Sequence, residues 1–445
     1  MNVRALKALK ASVAGLVVLE SLLLAFFMRP IQDDYFNLQS VGQMGVVGYL
    51  RDTWDFHGGN MVQFLIHCMM ILPSTEHFAF WNFGLFFLLT EVFVFLSVRG
   101  LNKWLFQSQN EVTNFWVPLL SVAGFEGLFV PGFLGAFGFS LASLAHLWPV
   151  MAFVTGLLSL KRFRGSCLLA LTLGMIAGNS NLGESAFACG VWILGWLAYW
   201  LFKDFETKSG IRKDSNFYFL GLGTLVGSIG IAAAPGFWDR AQDQVGLPNS
   251  LFDFAKRFAK SFASFTADAL THPMAWVLFL LGALLAHKYS RIAIEVDRYR
   301  LKLLSVATIA IWLSLITGAT FAYPAWHQSM GMYVLLLPLS FAAGATVKLR
   351  LSTQKLYSLL VVAAIVMSLA FVRIGVLGVE RSLRWDRNLA TNSCRIEQDL
   401  SSKLLGAEIQ YPPFGLGVDD VNTWEWMRSK YVGWVEAIPE KKCES

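Results

Sequence analysis

Charge is what this chain has least of: 15% of its 445 residues are Asp, Glu, Lys or Arg, against about 25% in an ordinary soluble domain. Cysteine is also scarce, at five residues with no CxxC pair, which removes the usual structural zinc frameworks. No phosphate-binding P-loop, dinucleotide fingerprint or HExxH motif occurs, so ATP-driven transport, soluble redox chemistry and zincin proteolysis lack their usual parts. Gly183-Glu184-Ser185-Ala186 is not the Gly-x-Ser-x-Gly nucleophile elbow. There is no fixed-period repeat and no low-complexity stretch.

Apolar sequence fills the space that charge leaves. The hydrophobic share is 55% and mean hydropathy is +0.52, with apolar blocks of about the 20 residues that a helix needs to cross a bilayer. They fall near 11–28, 78–98, 112–130, 140–160, 166–180, 185–202, 216–234, 274–287, 303–321, 329–346 and 357–375. The expectation is an all-α polytopic membrane protein with about eleven transmembrane helices, residues 1–375 forming the membrane domain around an outward-facing cavity. The first block follows Arg4, Lys7 and Lys10 without a small-residue cleavage site, and reads as an uncleaved anchor.

The net charge of +6 comes from 36 Lys and Arg against 30 Asp and Glu. The cations concentrate in alternate segments, for example Arg99 and Lys103, Lys203 to Lys213, and Arg298 to Lys302. The other loops before the tail hold only Arg29, Arg51, Arg240, Lys256, Arg257 and Lys260. That asymmetry places the N-terminus in the cytoplasm by the positive-inside rule, and makes the basic balance a record of orientation rather than of nucleic-acid binding. An odd number of spans then puts 376–445 outside as a small extracytoplasmic segment. Trp385, Trp424 and Trp426 suggest that this segment forms a folded cap, and Cys394 and Cys443 are its candidate disulfide.

Two apolar stretches read otherwise. Met61 to Leu72 is too short to cross and is expected flat on the outer leaflet or re-entrant. Leu251 to Leu270 interleaves Phe252, Phe254, Phe258, Phe262 and Phe265 with Lys256, Arg257 and Lys260, the pattern of an interfacial amphipathic helix or of a plain surface connector.

Candidate chemistry gathers at the outer ends of the blocks. Asp33 and Asp34 stand just beyond the first one and offer a general base and a metal or substrate ligand, or else cap a helix. Glu184 in Asn179-Ser180-Asn181-Leu182-Gly183-Glu184 is an ionisable group between two spans, with Asn181 as the alternative helix cap. Glu20 and Glu91 lie inside blocks and read as buried packing partners. Arg240 and His327 could bind a phosphate or, beside Trp238, Tyr323 and Trp326, simply meet lipid headgroups. His57, His146 and His272 share no ligand-like spacing.

Asp33-Asp34-Tyr35 after the first span, followed by a surface helix and outward motifs along about eleven spans, resembles the membrane-embedded GT-C glycosyltransferases of bacteria, especially those acting on surface polysaccharide. His57-Gly58-Gly59-Asn60 stands where that family often has Trp-x-Gly-Arg, and keeps one glycine while lacking the Trp and Arg. Ala234-Pro235-Gly236 leading to Arg240 is similar to the family's Pro-Gly and Arg element. Tyr323-Pro324-Ala325-Trp326-His327 is similar to a later element in which Arg is common. The resemblance implies a GT-C-like fold in a bacterial inner membrane, a polyprenyl-phosphate-linked sugar donor and a glycan or lipid acceptor. It implies no nucleotide cofactor, and any divalent metal would sit on the acidic pair.

By the same carry-over Asp33 or Asp34 is the base, Arg240 and His327 meet the leaving phosphate, and Tyr35, His57, Asn60, Asn181 and Glu184 contact substrate. A transporter or flippase of a lipid-linked glycan, and a catalytically silent scaffold of an assembly complex, are the competing expectations. Inverted repeats would favour the first and a fixed partner the second.

Overall fold

The computed structural model describes residues 3–26, 28, 33–71, 76–106, 110–125, 143–160, 165–243, 248–288, 295–321, 329–347 and parts of 372–396. These residues are helical, with one isolated bridge between Phe106 and Val296 in place of any strand. The helices are α1 (Val3–Phe26), α2 (Asp33–Asp52), α3 (Met61–Ile71), α4 (Glu76–Leu105), α5 (Val117–Phe125), α6 (Trp148–Leu158), α7 (Ser166–Gly178) and α8 (Leu182–Leu201). They continue with α9 (Phe205–Ser209), α10 (Ser215–Ala233), α11 (Pro235–Asp243), α12 (Leu251–Thr271), α13 (Pro273–Lys288), α14 (Arg298–Phe321) and α15 (Met330–Thr346). Single π-helical turns stand at Thr53–His57, Val112–Trp116 and Ser143–Leu147.

Among the described residues four helices are long and apolar enough to cross a membrane: Asn82–Leu105, Leu182–Leu201, Ser215–Ala233 and Arg298–Phe321. A fifth span results if α12 and α13, bent by 47° at His272, count as one broken helix. Other expected blocks are shorter apolar helices: Ala11–Phe26, Val112–Phe125, Leu144–Leu158, Ser166–Gly178 and Met330–Thr346. Block 357–375 lies outside the described residues save Val372 and Gly375. The bundle wears its greasy residues outside, with Val18, Leu19 and Leu22 of α1, Leu194, Trp200 and Leu201 of α8, and Leu222, Val226 and Ile229 of α10 all exposed. Apolar faces of that extent are what hydrocarbon covers.

Hydroxyls and indoles bond inside instead. Trp148 Nε1 donates to Thr90 Oγ1 at 3.0 Å, and the hydroxyls of Ser97 and Thr155 meet at 3.1 Å. Such pairs satisfy polar groups where no water reaches and join α4 to α6.

The contacts between α4 and α6 climb together in number, from Thr90–Trp148 through Ser97–Thr155 to Gly100–Ser159, so the two helices run parallel. Calling the end where α4, α6 and α8 begin the upper end, α7 and α10 both rise from below. Ser166 Oγ donates to Asn216 Oδ1 (2.8 Å) at the foot of this pair and Asn179 Nδ2 to Gly227 O (3.1 Å) at its head. Their seam has no room for side chains: a Cβ on Gly178 would lie 2.0 Å from Thr224 O, and one on Gly223 2.2 Å from Leu171 O. Small residues at four-residue spacing let two backbones approach this closely, the packing expected where lipid gives helices no hydrophobic reason to associate.

α12 starts with Ser250 Oγ accepting from Asp253 N at 3.1 Å, an N-cap reinforced by the Asp253–Arg257 ion pair at 2.9 Å. Its Phe254 and Phe262 rings pack on Phe321 and Trp312 of α14, while Leu251 and Phe252 stay exposed. Glu20 and Glu91 are buried, and Gly375 sits directly against the Glu20 carboxylate. Residues 391–396 are helical, with Ile396 packed on the bundle core and Asn392 fully buried. Cys394 is disulfide-bonded while Cys68, Cys167 and Cys189 are free. Cys443, its expected partner, lies outside the described residues.

Candidate functional site at the upper end of the bundle

α2 opens at Asp33, so the acidic pair occupies the first turn of a helix. Beyond it, Gly45 takes φ 68°, a left-handed value that glycine adopts without strain, and the helix kinks there. The kink folds the two halves together. Tyr49 Oη donates to Asn37 Oδ1, and Asn37 Nδ2 lies 3.2 Å from His67 Nδ1 of α3. All three residues are buried, so the turn that follows Asp33 and Asp34 is fastened to α3 by a buried polar cluster.

Below the kink the chain makes a π-helical turn over Thr53–His57 and then the Gly58-Gly59 corner. Gly59 lies flat on the head of α10: an added Cβ would meet Gly230 O and Ile231 Cα at 2.4 Å each. Asn179 locks this corner. Its Oδ1 accepts from Val62 N at 2.7 Å, and its Nδ2 donates to Gly59 O at 2.7 Å and to Gly227 O. Val62 N belongs to the first turn of α3, where amides lack intrahelical acceptors. Asn179 therefore caps α3 from 117 residues away. Asn60 Nδ2 turns to Gln63 Oε1 at 3.3 Å within the same turn. α11, the helix carrying Arg240, packs against the Thr53–His57 turn.

Beside this corner α8 begins. Asn181 Oδ1 accepts from Gly183 N and Glu184 N, and Asn181 Nδ2 reaches Ala145 O and His146 Nδ1. The capping alternative for Asn181 is thus what the geometry realises, and it consumes both ends of the amide. Glu184 is fully buried, with Oε1 3.0 Å from His146 Nδ1. Asn181 Nδ2 and Glu184 Oε1 thus both converge on His146 Nδ1, and the ring tautomer decides which of them it bonds. Glu184 Oε2 has no hydrogen-bond partner among the described residues.

The structure thus brings the His57–Asn60 and Pro235–Arg240 elements together and sets Asn181 and Glu184 near the same end. The side chains of Asp33, Asp34, Tyr35, His57 and Arg240, and all of His327, lie outside the described residues. His272 does not join them: its ring packs tilted against Tyr333, centroids 4.3 Å apart, at the α12–α13 bend. Among the described residues no group of three His, Cys, Asp or Glu could hold a metal ion. Sequence reasoning passed over Asn179, His67 and the His146–Glu184 pairing. Asn179 lay in the polar stretch already singled out, but nothing in a linear sequence announces bonds to Gly59 and Val62. No family model, curated protein or solved structure matches the chain.

Proposed function

We propose that the protein is a membrane glycosyltransferase of GT-C type, moving a sugar from a polyprenyl-phosphate donor to a cell-surface glycan or lipid acceptor on the outer face of a bacterial inner membrane. One observation carries the reading: the helix bearing Arg240 packs on the turn ending at His57, and the Gly58-Gly59 corner after it is bolted to the bundle by Asn179, so that segments far apart in sequence meet at one end of the bundle. The gathering of Arg99, Lys103, Arg212 and Arg300 at the lower end supports a cytoplasmic lower end and an exterior site. In this reading the full set of spans is the eleven that the apolar blocks define.

The carboxylate of Asp33 or Asp34 takes the proton of an acceptor hydroxyl. The freed oxygen attacks the anomeric carbon, the bond from that carbon to the phosphate oxygen breaks, and the configuration inverts. The phosphate leaves on its lipid, with Arg240 and His327 meeting the charge that grows on it. Glu184 Oε2 offers the buried acceptor for a sugar hydroxyl. A divalent ion, if one is used, sits on the acidic pair.

The test is the mass of surface glycans from cells lacking the protein, complemented with wild type, Asp33→Asn or Asp34→Asn at matched membrane levels. Loss of a sugar-sized unit on deletion, restored by wild type and reduced at least about 100-fold in rate by one Asn variant, is expected for a general base. Full restoration by both variants ends the reading and favours transport or scaffolding.

A further inference from the structure

The lower end holds a second place where the molecule is prepared for a ligand. The last turns of α4 and α6 and the first turns of α10 and α14 enclose a cavity of about 550 Å³. Among the described residues four cations line it, namely Arg99 and Lys103 of α4, Arg212 ahead of α10 and Arg300 of α14, against the single carboxylate of Asp214. That carboxylate is engaged, since Asp214 Oδ1 accepts from Phe217 N and caps α10. Arg300 is pinned with one nitrogen on Trp104 O at 2.6 Å and with Nε 3.5 Å from Asp297 Oδ2. Gly210, at φ 67°, leaves the space that its guanidinium occupies; a Cβ there would lie 2.6 Å from Nη2. Arg99 Nε is buried with no hydrogen-bond partner among the described residues, a donor whose desolvation is not repaid.

Cations at the inner ends of spans are common and ordinarily splay toward the surrounding headgroups. Here they converge on one cavity, and that cavity adjoins another of opposite character. Trp104, Leu157, Leu158 and Phe217 line both it and a second cavity of about 320 Å³. The second is walled by apolar and aromatic side chains, among them Phe153, Phe187 and Leu304. An anion-binding chamber sharing a wall with a greasy one matches a molecule that has a phosphate at one end and hydrocarbon at the other.

We propose that these adjoining cavities bind one anionic phospholipid, its phosphate among Arg99, Arg212, Arg300 and Lys103 and the start of an acyl chain passing the shared side chains to lie between α6, α8 and α14. The convergent guanidiniums suit phosphate oxygens, which take paired N–H donors. The inference rests on the membrane character of the chain and not on glycosyl transfer, and the site lies at the opposite end of the bundle from Asn179 and Glu184.

The experiment uses the full-length protein, purified in mild detergent and stripped of lipid, and reads two quantities: the thermal unfolding midpoint and the one-lipid adduct retained in native mass spectrometry. Phosphatidylglycerol, phosphatidylcholine of the same chains, and free glycerol phosphate are the three probes. Phosphatidylglycerol is expected to raise the midpoint and give a single adduct, with phosphatidylcholine and glycerol phosphate each at least about tenfold weaker, the scale of one charge-assisted hydrogen bond. Arg99→Gln is expected to lose the preference for the anionic headgroup. Ala307→Phe, which fills only the apolar cavity, should weaken the adduct while leaving every cation in place. Equal stabilisation by glycerol phosphate would make this a site for soluble phosphates and overturn the lipid proposal. Equal retention of the two lipids, or an adduct indifferent to both substitutions, would overturn it as well.

Discussion

Replacing Asn179 by Ala tests the joint on which the upper site is built. Asn179 is 4% exposed, and its amide answers Val62 N and Gly59 O at 2.7 Å each. Truncation orphans both groups in a place that water does not readily reach. A buried polar group left unpaired costs about 1–3 kcal/mol, so two of them, after partial relaxation, amount to roughly 2–4 kcal/mol against the closed corner. Because the Gly59 corner and α3 are held to α7 and α10 chiefly here, the loss should appear as local opening and not as global unfolding. Each 1.4 kcal/mol is a factor of ten in that opening equilibrium, so amide exchange in a peptide covering 57–66 should accelerate by roughly 30- to 700-fold. Exchange in α14, which Asn179 does not touch, should stay as it was. Asn179→Asp sharpens the test, since it keeps the acceptor for Val62 N but turns a carboxylate oxygen on two carbonyls, and should open the corner at least as far. Exchange in 57–66 within twofold of wild type for Asn179→Ala would refute the reasoning and reduce Asn179 to a bystander.

Two more predictions concern the neighbouring helices. Gly178→Val must push α7 away from α10, because even a Cβ falls 2.0 Å from Thr224 O; a loss of about 1–3 kcal/mol or more is expected as a lower unfolding midpoint in detergent, and an unchanged midpoint would deny the seam. Glu184→Gln keeps a hydrogen-bonding group beside His146 Nδ1 and should unfold close to wild type, whereas Glu184→Ala removes the bond and leaves a hole, costing roughly 2–4 kcal/mol in the same assay.

Apolar blocks told where helices lie, because burial in protein or lipid demands them, and the helices at Leu182–Leu201, Ser215–Ala233 and Arg298–Phe321 coincide with their blocks. The blocks told less about length. The stretch near 112–130 opens with a π-turn before α5, and that near 166–180 stops after thirteen residues where Asn179 leaves the helix. Hydropathy counts apolar residues and cannot see a turn that keeps them apolar. Pairing was invisible for a different reason: whether α7 runs beside α10 is decided by glycines 45 positions apart, and a chain with many glycines does not say which ones meet. The Gly58-Gly59 corner is visible in the sequence as a motif, yet Asn179 is joined to it only in space.

The parallel pairing of α7 and α10 also orders events in time. The glycine face of α7 is complete once Gly178 has been made, but the face that covers it ends at Gly227, after α8 has been laid down in the opposite direction. At ~5–20 residues per second, that is an interval of roughly 2–10 s. During that delay a helix of thirteen residues, too short to hold a bilayer position by hydrophobic length, must be kept in place by something other than its final neighbour. A ribosome halted between α8 and α10 would strand α7 in this exposed state, making that stretch of message the place where synthesis and assembly are most closely bound to each other.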